Sequence, residues 1–450
     1  MPGKRGLDRR TFLRGAGATA FLGAFGAREA RGLGLAALDF AQERQAFDFS
    51  TDFDRIGTDC TKWDGAIADF GADIEVGMGV ADMDFRAAPC VTRALAERCA
   101  HENWGYLRMP SSYTEAIVEW NRRRYGLEID PDSIVLTTGV HPGLIAALHA
   151  FAPPGSKVLM TSPIYSGFYS DLRFTRTIAE DSPMQLVGGR YEIDFDDVDR
   201  RAGGSNVMIL CNPQNPTGNV WSAEDLTRIG EICLRHRVVI LSDEIHCDFV
   251  RRGVRYTPFA SLPNRDIVDN SLTFKAASKS FSISAMKTGW YFSTNPDYLE
   301  RVRSHTRADL TTLGVVATEA ALREGDGWLD QLLPYLDGNQ EFVDRYVRDE
   351  IPLLDHRMAE GTYLAWLDVS RVAERIGAEE VAARERNSSG EARTPEEVMQ
   401  RWFAENARVF LSPGSSFGTG GAGHMRMNVA TPRSLLERGL ENIATALARI

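Results

Sequence analysis

The chain has 450 residues, enough for two or three domains or for one large enzyme built from two lobes. Hydrophobic residues make up 43% and charged residues 25%, which argues against a disordered, collagen-like or polytopic membrane chain. The net charge of -11 is uneven, because residues 1–31 hold seven Lys/Arg and two Asp/Glu and the remainder is strongly acidic. The acidic charge of the chain after residue 31 argues against nucleic acid as a partner.

The first thirty residues have the layout of an export signal. Basic residues that include Arg9 and Arg10 precede the uncharged Gly/Ala-rich stretch Gly15–Ala27, which is too short to span a bilayer. Within this region Asp8–Arg14 resembles the twin-arginine export consensus, in which paired arginines precede a small residue, Phe and Leu. That route carries proteins that are already folded.

We therefore expect a leader over residues 1–37, with cleavage after Gly26, Ala30 or Ala37. The mature protein is then periplasmic or exported and has no stable membrane span. The alternative is an amphipathic or disordered leader on a cytoplasmic enzyme.

The six cysteines are scattered along the chain and include no C-x-x-C pair and no Cys/His cluster at metal-ligand spacing. We interpret them as structural thiols and expect neither a metal site nor a disulfide framework, which is a feature of much smaller chains. They are Cys60, Cys90, Cys99, Cys211, Cys233 and Cys247.

Short β-branched runs alternate with helical segments between about residues 130 and 295. Residues 134–137, 158–161, 207–210 and 238–241 have the composition of buried strands, and each run ends near Gly, Pro or Asp residues. This alternation predicts an α/β fold with a parallel sheet. Ligands bind at the carboxyl ends of strands in such sheets, so the polar residues that follow these runs are candidate site residues.

Three polar motifs follow apolar runs. Asn212–Gly218 contains two Asn-Pro steps within five residues, which predicts a rigid loop. Asp243, in the motif Asp243–His246, places a carboxylate at a strand end, although a lone Asp can also be a helix N-cap. Lys279 lies among small residues after the run 271–274, and taken alone such a lysine is typical of a solvated surface.

A fourth motif, Thr138–Pro142, follows a strand and opens a predicted helix with proline in its first turn. The free backbone N–H groups of Gly139, Val140 and His141, together with the helix dipole, favour a phosphate group at this position. The sequence therefore predicts an anion site at the start of this helix.

In this order and spacing, the motifs resemble those of the fold-type I pyridoxal phosphate enzymes of the class I/II aminotransferase family, from about residue 45 to the C-terminus. The branch that the chain most resembles is the cystathionine β-lyase, or carbon–sulfur lyase, group, because Val80–Phe85 and Asp243–His246 have that group's signature forms. Gly361–Trp366 and Met425–Pro432 are further matches.

The resemblance implies an architecture of two domains. A large pyridoxal phosphate-binding domain over residues 96–324 would carry a mostly parallel seven-stranded sheet. A smaller α/β domain would join residues 38–95 to residues 325–450. The family resemblance further implies a homodimer.

The resemblance also assigns the catalytic and ring-binding residues. Lys279 matches the lysine that binds the cofactor covalently and then moves the Cα proton of the substrate as general base. Asp243 matches the carboxylate that keeps the pyridine nitrogen protonated. Asn215 matches the residue that hydrogen-bonds the phenolic oxygen of the cofactor and also contacts the substrate. Tyr165 matches the aromatic residue that stacks on the cofactor ring, and His246 belongs to the same cofactor site.

Further residues are assigned to the phosphate and to the substrate. Ser278 and Lys287 match the side chains that complete the phosphate cup begun at the helix start, although relatives often have Arg where this chain has Lys287. Tyr106 resembles the tyrosine that reaches the phosphate from the neighbouring subunit. Arg426 matches the arginine that binds the substrate α-carboxylate with two parallel N–H donors.

Two departures from the lyase-like pattern affect the expected site. Gly79 stands where the group usually has Trp, which we expect to open space near the substrate. After the lysine, Ser282–Met286 replaces the common N-[IL]-A-G-L, which indicates that packing behind the cofactor has been rebuilt.

The function implied by the resemblance is a pyridoxal phosphate-dependent reaction on a small-molecule substrate, an L-amino acid. The preferred reaction is β-elimination of a carbon–sulfur bond, which converts cystathionine or a cysteine conjugate to pyruvate, ammonia and a thiol. The first alternative is an aminotransferase, and an oxidase or racemase follows it. A regulatory module that only binds other proteins is a further alternative, which the retention of Lys279, Asp243, Asn215 and Arg426 disfavours.

Overall fold

A computed structural model describes residues 46–71, 73–386 and 390–450. The leader predicted over residues 1–37 lies outside the described residues. None of the helices in the described ranges combines the length and the apolar character that crossing a bilayer requires.

The strands of the described residues are, in chain order, β1 (Val76–Gly77), β2 (Ile134–Thr137), β3 (Lys157–Ser162), β4 (Ile178–Pro183), β5 (Gln185–Val187), β6 (Arg190–Glu192), β7 (Ser205–Cys211), β8 (Val239–Asp243), β9 (Ser271–Lys275), β10 (Gly289–Phe292), β11 (Asp355–His356), β12 (Leu364–Asp368), β13 (Val409–Phe410), β14 (Ser412–Pro413) and β15 (His424–Asn428).

The α-helices of the same residues are α1 (Ala66–Phe70), α2 (Pro89–Cys99), α3 (Ser111–Tyr125), α4 (Val140–Phe151), α5 (Ser166–Thr175), α6 (Phe195–Ala202), α7 (Ala223–His236), α8 (Arg265–Asp269), α9 (Pro296–Arg303), α10 (Thr312–Glu324), α11 (Asp326–Glu350), α12 (Ser370–Ile376), α13 (Ala378–Arg384), α14 (Pro395–Trp402) and α15 (Arg433–Leu447).

A seven-stranded sheet carries the polar motifs. Its strand order is β2-β10-β9-β8-β7-β3-β4, and every neighbouring pair is parallel except the two pairs that involve β10. The α/β fold with a mostly parallel sheet, predicted from the sequence, is therefore confirmed. Because the parallel strands run in one direction, the residues that follow them meet at one edge of the sheet.

Helices cover both faces of this sheet, which is why its strands are apolar on both sides. In β7, Val207 and Ile209 pack into the cluster that contains Leu144 of α4. The alternating residues Met208 and Leu210 pack into a second cluster that contains side chains of α7. This packing on both faces of the sheet holds the ends of the strands in fixed positions.

A four-stranded antiparallel sheet, β11-β12-β15-β14, is formed by the C-terminal third of the chain. In addition, Val76 of β1 pairs in parallel with Val409 of β13, so the segment before the large sheet is joined to the segment after it. The domain boundaries at residues 95 and 325 stay predictions.

A buried ionic cluster attaches residues 55–63 to the Val80–Phe85 motif. Lys62 and Asp84 are both fully buried, and their Nζ and Oδ2 atoms lie 2.5 Å apart. The second oxygen of Asp84 accepts hydrogen bonds from Trp63 Nε1 (2.9 Å) and Arg55 (3.1 Å). The charges of Lys62 and Arg55 on one side and Asp84 on the other therefore compensate one another.

We expect Asp84→Asn to lower the free energy of unfolding by about 3–5 kcal/mol, because it leaves the buried Lys62 ammonium without its carboxylate. Chemical denaturation measures the loss. Asp355→Asn is the control, since Asp355 is 73% exposed in its pair with Arg371 and its removal costs at most about 1 kcal/mol. Equal losses in the two variants would contradict the assigned role of the cluster.

Candidate active site

A cavity of about 590 Å³ lies at the carboxyl ends of the parallel strands. Its wall contains residues from several separate segments of the chain, which the sheet brings together. Ten of the site residues predicted from the sequence line it: Gly139, Val140, His141, Tyr165, Asn215, Asp243, His246, Ser278, Lys279 and Lys287.

The first turn of α4 forms one end of the cavity. The β10 backbone packs tightly against the residue before this helix, because a Cβ on Gly289 would lie 2.9 Å from the carbonyl carbon of Gly139. Val140 and His141 begin the helix, where backbone N–H groups have no helical acceptor. With Ser278 in the same wall, this end of the cavity suits a phosphate group.

Asp243 is the last residue of β8 and is 4% exposed. Its Oδ1 accepts a hydrogen bond of 3.0 Å from the Ile245 N–H. Burial raises the pKa of Asp243 to about 6, while the Ile245 hydrogen bond and the positive charge of His141 oppose the rise. The carboxylate is therefore mostly ionised at neutral pH and suited to face a cationic group.

Lys279 follows β9 and lines the same cavity. Its Nζ donates a 2.7 Å hydrogen bond to the carbonyl of Ala81, and the Tyr363 hydroxyl donates to the same carbonyl at 3.1 Å. Burial lowers the pKa of Lys279 to about 8, against the opposing negative charge of Asp82. More of this amine is neutral at physiological pH than in a surface lysine, and the neutral form is the one that attacks an aldehyde or accepts a proton.

Arg426 lies on β15 and is 5% exposed. One guanidinium nitrogen donates to Asn215 Oδ1 at 3.1 Å, and the other donates to the Gly79 carbonyl at 2.8 Å. Its Nε has no hydrogen-bond partner among the described residues. Burial lowers the pKa of Arg426 to about 10, and a buried cation with an unused donor suits a carboxylate ligand.

His246 is buried beside the cavity, and its ring lies 5.9 Å from that of Tyr363. Burial and the nearby charges of Lys279 and Arg426 hold the pKa of His246 well below its ordinary value, so the imidazole is neutral. Its Nδ1 has no partner among the described residues. This unused polar atom is a second indication that the cavity is built for a polar ligand.

The donor set fits pyridoxal phosphate. The start of α4 suits the phosphate, Asp243 suits the protonated pyridine nitrogen, and Lys279 supplies the amine that bonds to the aldehyde. The unpartnered Nδ1 of His246 and Nε of Arg426 leave donors and acceptors for the cofactor and its amino acid substrate.

The expectation for Gly79 is wrong. The Phe410 ring of β13 occupies the space that a side chain at position 79 would take, since a Cβ on Gly79 would lie 2.8 Å from Phe410 Cδ1. The glycine thus permits close packing of an aromatic ring, and it does not open the site. Its carbonyl serves the site instead, as an acceptor for Arg426.

The rebuilt segment after the lysine is attached to the Val80–Phe85 motif. Ser282 adopts a left-handed conformation, with φ of 54°. Its hydroxyl donates to Asp82 Oδ1 at 2.8 Å and accepts the Met83 N–H at 3.1 Å. These bonds connect the Lys279 loop to the segment whose Ala81 carbonyl holds the lysine amine.

The structure places Tyr106 apart from the cavity of its own chain. It is fully exposed in a segment without regular secondary structure between α2 and α3. Its role at a neighbouring subunit's phosphate stays a prediction.

Tyr363 and Asp171 contact groups of the site but are not among the residues predicted from the sequence. Tyr363, whose hydroxyl donates to the Ala81 carbonyl, lies inside the recognised Gly361–Trp366 motif. Membership of this motif was the sequence signal that could have identified it. Asp171, whose Oδ2 lies 2.6 Å from His141 Nδ1, had no such signal, because an Asp in the middle of an amphipathic helix is usually a solvated residue.

Comparisons with known proteins agree with this geometry. The profile of the family "Aminotransferase class I and II" matches residues 73–443. The chain is 34% identical over 403 residues to cystathionine beta-lyase PatB of Bacillus subtilis, covering 88% of this chain and 98% of that protein.

Two solved structures are similar over most of their length. A PLP-bound putative aminotransferase from Clostridium difficile has a TM-score of 0.81 at 31% identity, over 89% of this chain and 100% of that one. The PLP-bound C-S lyase from Staphylococcus hominis has a TM-score of 0.78 at 32% identity, over 89% and 99%. Because the profile match extends through the seven-stranded and the four-stranded sheet, the chain belongs to the aminotransferase class I and II family.

Proposed function

We propose that the protein is a pyridoxal phosphate-dependent carbon–sulfur lyase, which cleaves an L-amino acid such as cystathionine or a cysteine conjugate by β-elimination. The observation that carries the proposal is that Lys279, Asp243 and Asn215 line one cavity, with Arg426 attached to Asn215 at 3.1 Å. The named lyase activities of PatB and of the Staphylococcus hominis enzyme support the choice of reaction.

Bound pyridoxal phosphate supplies an electron sink for bond changes at the α-carbon of the amino acid. Arg426 binds the α-carboxylate and thereby orients the Cα–H bond, and Asp243 holds the proton on the pyridine nitrogen. Lys279 in its neutral form takes the Cα proton, and the sulfur leaves from Cβ with the electron pair of the broken bond. With one water consumed, the products are a thiol, pyruvate and ammonia.

An aminotransferase is the second candidate, supported by the family match and by the similarity to the putative aminotransferase from Clostridium difficile. Both reactions begin with the same proton transfer, so the same residues serve either one. They differ in their need for a second substrate, because only amino transfer consumes a keto acid.

The test is an assay of purified protein with L-cystathionine, in which pyruvate, ammonia and free thiol are measured with and without 2-oxoglutarate. We expect the three products in equal amounts without keto acid, and no product from Lys279→Ala. If product formation depended strictly on the keto acid and glutamate were a product, the protein would be an aminotransferase and the lyase proposal would fail. Hydrogen peroxide as a product would instead identify an oxidase.

We further propose a homodimer whose subunits share their active sites. Trp104 (54% exposed) and the fully exposed Tyr106 lie in the segment between α2 and α3, where a second copy of the chain would cover them. The test is to mix the inactive Lys279→Ala and Tyr106→Ala proteins. In a mixed dimer, one of the two shared sites would combine an intact Lys279 from one subunit with an intact Tyr106 from the other, so activity should return. Absence of any recovery after subunit exchange would contradict it.

We propose export by the twin-arginine route, on the support of Asp8–Arg14 and the uncharged stretch that follows it. Replacement of Arg9 and Arg10 by Lys should retain the folded protein in the cytoplasm, whereas the unaltered protein should reach the periplasmic fraction. Identical fractionation of the two proteins would favour a cytoplasmic enzyme.

A further inference from the structure

An aromatic ring lies against the buried guanidinium of Arg426. The Cζ atom of Arg426 lies over the Phe417 ring, 4.8 Å from the ring centroid, and Phe417 is 1% exposed. The hydrogen bonds of Arg426 to Asn215 and to the Gly79 carbonyl come from its two terminal nitrogens. Its Nε has no partner among the described residues. The ring therefore contacts the face of a cation whose edge keeps an unused donor.

The ring restrains a motion that the two hydrogen bonds of Arg426 leave free. These bonds fix the terminal nitrogens, but the planar group can still tilt about the line between them. Phe417 occupies one side of the group and opposes a tilt toward that side. It also attracts the cation, because the face of an aromatic ring carries partial negative charge and both partners are buried. The unused donor then keeps one direction, as the binding of a planar carboxylate requires.

Phe417 is itself held in place by neighbouring aromatic rings. Its ring packs edge-on against Trp366, with the centroids 5.3 Å apart. Trp366 pairs with Arg426 across β12 and β15, so the two side chains project from the same face of the sheet. The Trp366 indole stacks on His424 at 5.0 Å, and its Nε1 donates to the Tyr191 hydroxyl at 3.1 Å. The ring beside Arg426 is therefore backed by a second ring that is fixed on its own account.

The backbone on both sides of the ring is fixed as well. The Phe417 carbonyl accepts a 2.8 Å hydrogen bond from the Ile164 N–H, and Ile164 directly precedes Tyr165 of the cavity wall. Gly418 follows with φ of 82°, and a Cβ there would overlap the hydroxyl of Tyr169. These contacts leave the ring little freedom to move away from the guanidinium.

We propose that Phe417 is a positioning residue, which holds the guanidinium of Arg426 through the face of its ring in the orientation that binds the α-carboxylate of the amino acid substrate. Phe417 does not line the cavity and acts through Arg426. The proposal rests on the proposed function only in assigning that carboxylate to Arg426. It does not depend on which reaction follows.

The test is the affinity of the cofactor-loaded protein for 2-aminoisobutyrate and for its methyl ester. This amino acid has no proton on its α-carbon, so neither β-elimination nor amino transfer follows its binding. Titration of the visible absorbance of the bound cofactor gives both dissociation constants. Their ratio reports how strongly the protein prefers the free carboxylate.

Phe417→Leu keeps an apolar side chain and removes the ring. We expect the dissociation constant of the free acid to rise about tenfold and that of the ester to change little. The matched control is Phe151→Leu, because Phe151 is also buried and its ring centroid lies 4.4 Å from Arg301 Cζ, in a pair outside the cavity. The control should keep both constants of the unaltered protein.

A second variant separates charge from shape and stays informative if Phe417→Leu does not fold, which thermal unfolding checks. Replacement of Phe417 by a phenylalanine with three ring fluorines keeps the ring but withdraws negative charge from its face, which weakens its attraction for a cation. We expect this protein to bind the free acid more weakly than the unaltered protein does, and to bind the ester equally well.

In either Phe417 variant, a ratio equal to that of the unaltered protein would overturn the proposal, whether both ligands bind more weakly or neither does. If the unaltered protein binds the ester as tightly as the acid, Arg426 does not bind the carboxylate, and its assigned role fails together with the proposal. If the ratio shifts as expected but cystathionine yields no pyruvate, the positioning role stands and the proposed lyase reaction fails.

Discussion

Lys279→Ala is expected to abolish the covalent attachment of the cofactor and to lower the rate of pyruvate release at least about 10³-fold. The variant lacks both the amine that bonds to the aldehyde and the base that takes the Cα proton, and a positioned base alone contributes about 10²–10⁴-fold. The measurements are the visible absorbance of the purified protein and the rate of product formation. Added primary amines should restore part of the rate.

Lys287→Ala is the matched control, because Lys287 also lines the cavity but is assigned to the phosphate. We expect it to weaken cofactor affinity while the rate at saturating cofactor stays close to that of the unaltered protein. If the two lysine variants lose activity to the same extent and neither responds to added amine, the assignment of the base to Lys279 is wrong.

Arg426→Lys is expected to lower kcat/KM about 100-fold while the cofactor stays bound. Lysine keeps a positive charge but lacks the planar fork that can hold Asn215, the Gly79 carbonyl and a substrate carboxylate at once. Disruption of a buried, hydrogen-bonded charge pair commonly costs about 2–5 kcal/mol. Steady-state kinetics with an amino acid and with its methyl ester measure the effect, and the variant should lose the preference for the free acid.

Arg433→Lys provides the control, since the Nε of Arg433 donates to Asn339 Oδ1 at 2.9 Å in a pair outside the cavity. Its kinetic constants should stay near those of the unaltered protein. A preference for the free acid that survives in Arg426→Lys would show that another group binds the carboxylate.

The site residues that follow parallel strands could be predicted from the sequence, because strand direction alone places them together. Asp243 ends β8 and Asn215 follows β7, and both line the cavity. The start of α4 after β2 was recognisable for the same reason. These residues needed only local patterns and the general rule for parallel sheets.

Features that depend on contacts between distant segments were not predictable in this way. The antiparallel direction of β10 is set by its pairing with β2 and β9, not by its own residues. Phe410 fills the space beside Gly79 because β13 pairs with β1, and nothing in the sequence near Gly79 indicates this. Asp171 likewise becomes a site residue only because α4 and α5 pack together.

Borohydride reduction followed by peptide mass mapping identifies the lysine that carries the cofactor, which we assign to Lys279. Reduction fixes the bond between the cofactor and the amine that holds it. We expect the added mass on Lys279 alone, although the buried Lys275 and the cavity residue Lys287 lie within the same stretch of chain. Added mass on either of those lysines, or on none, would show that Lys279 does not hold the cofactor.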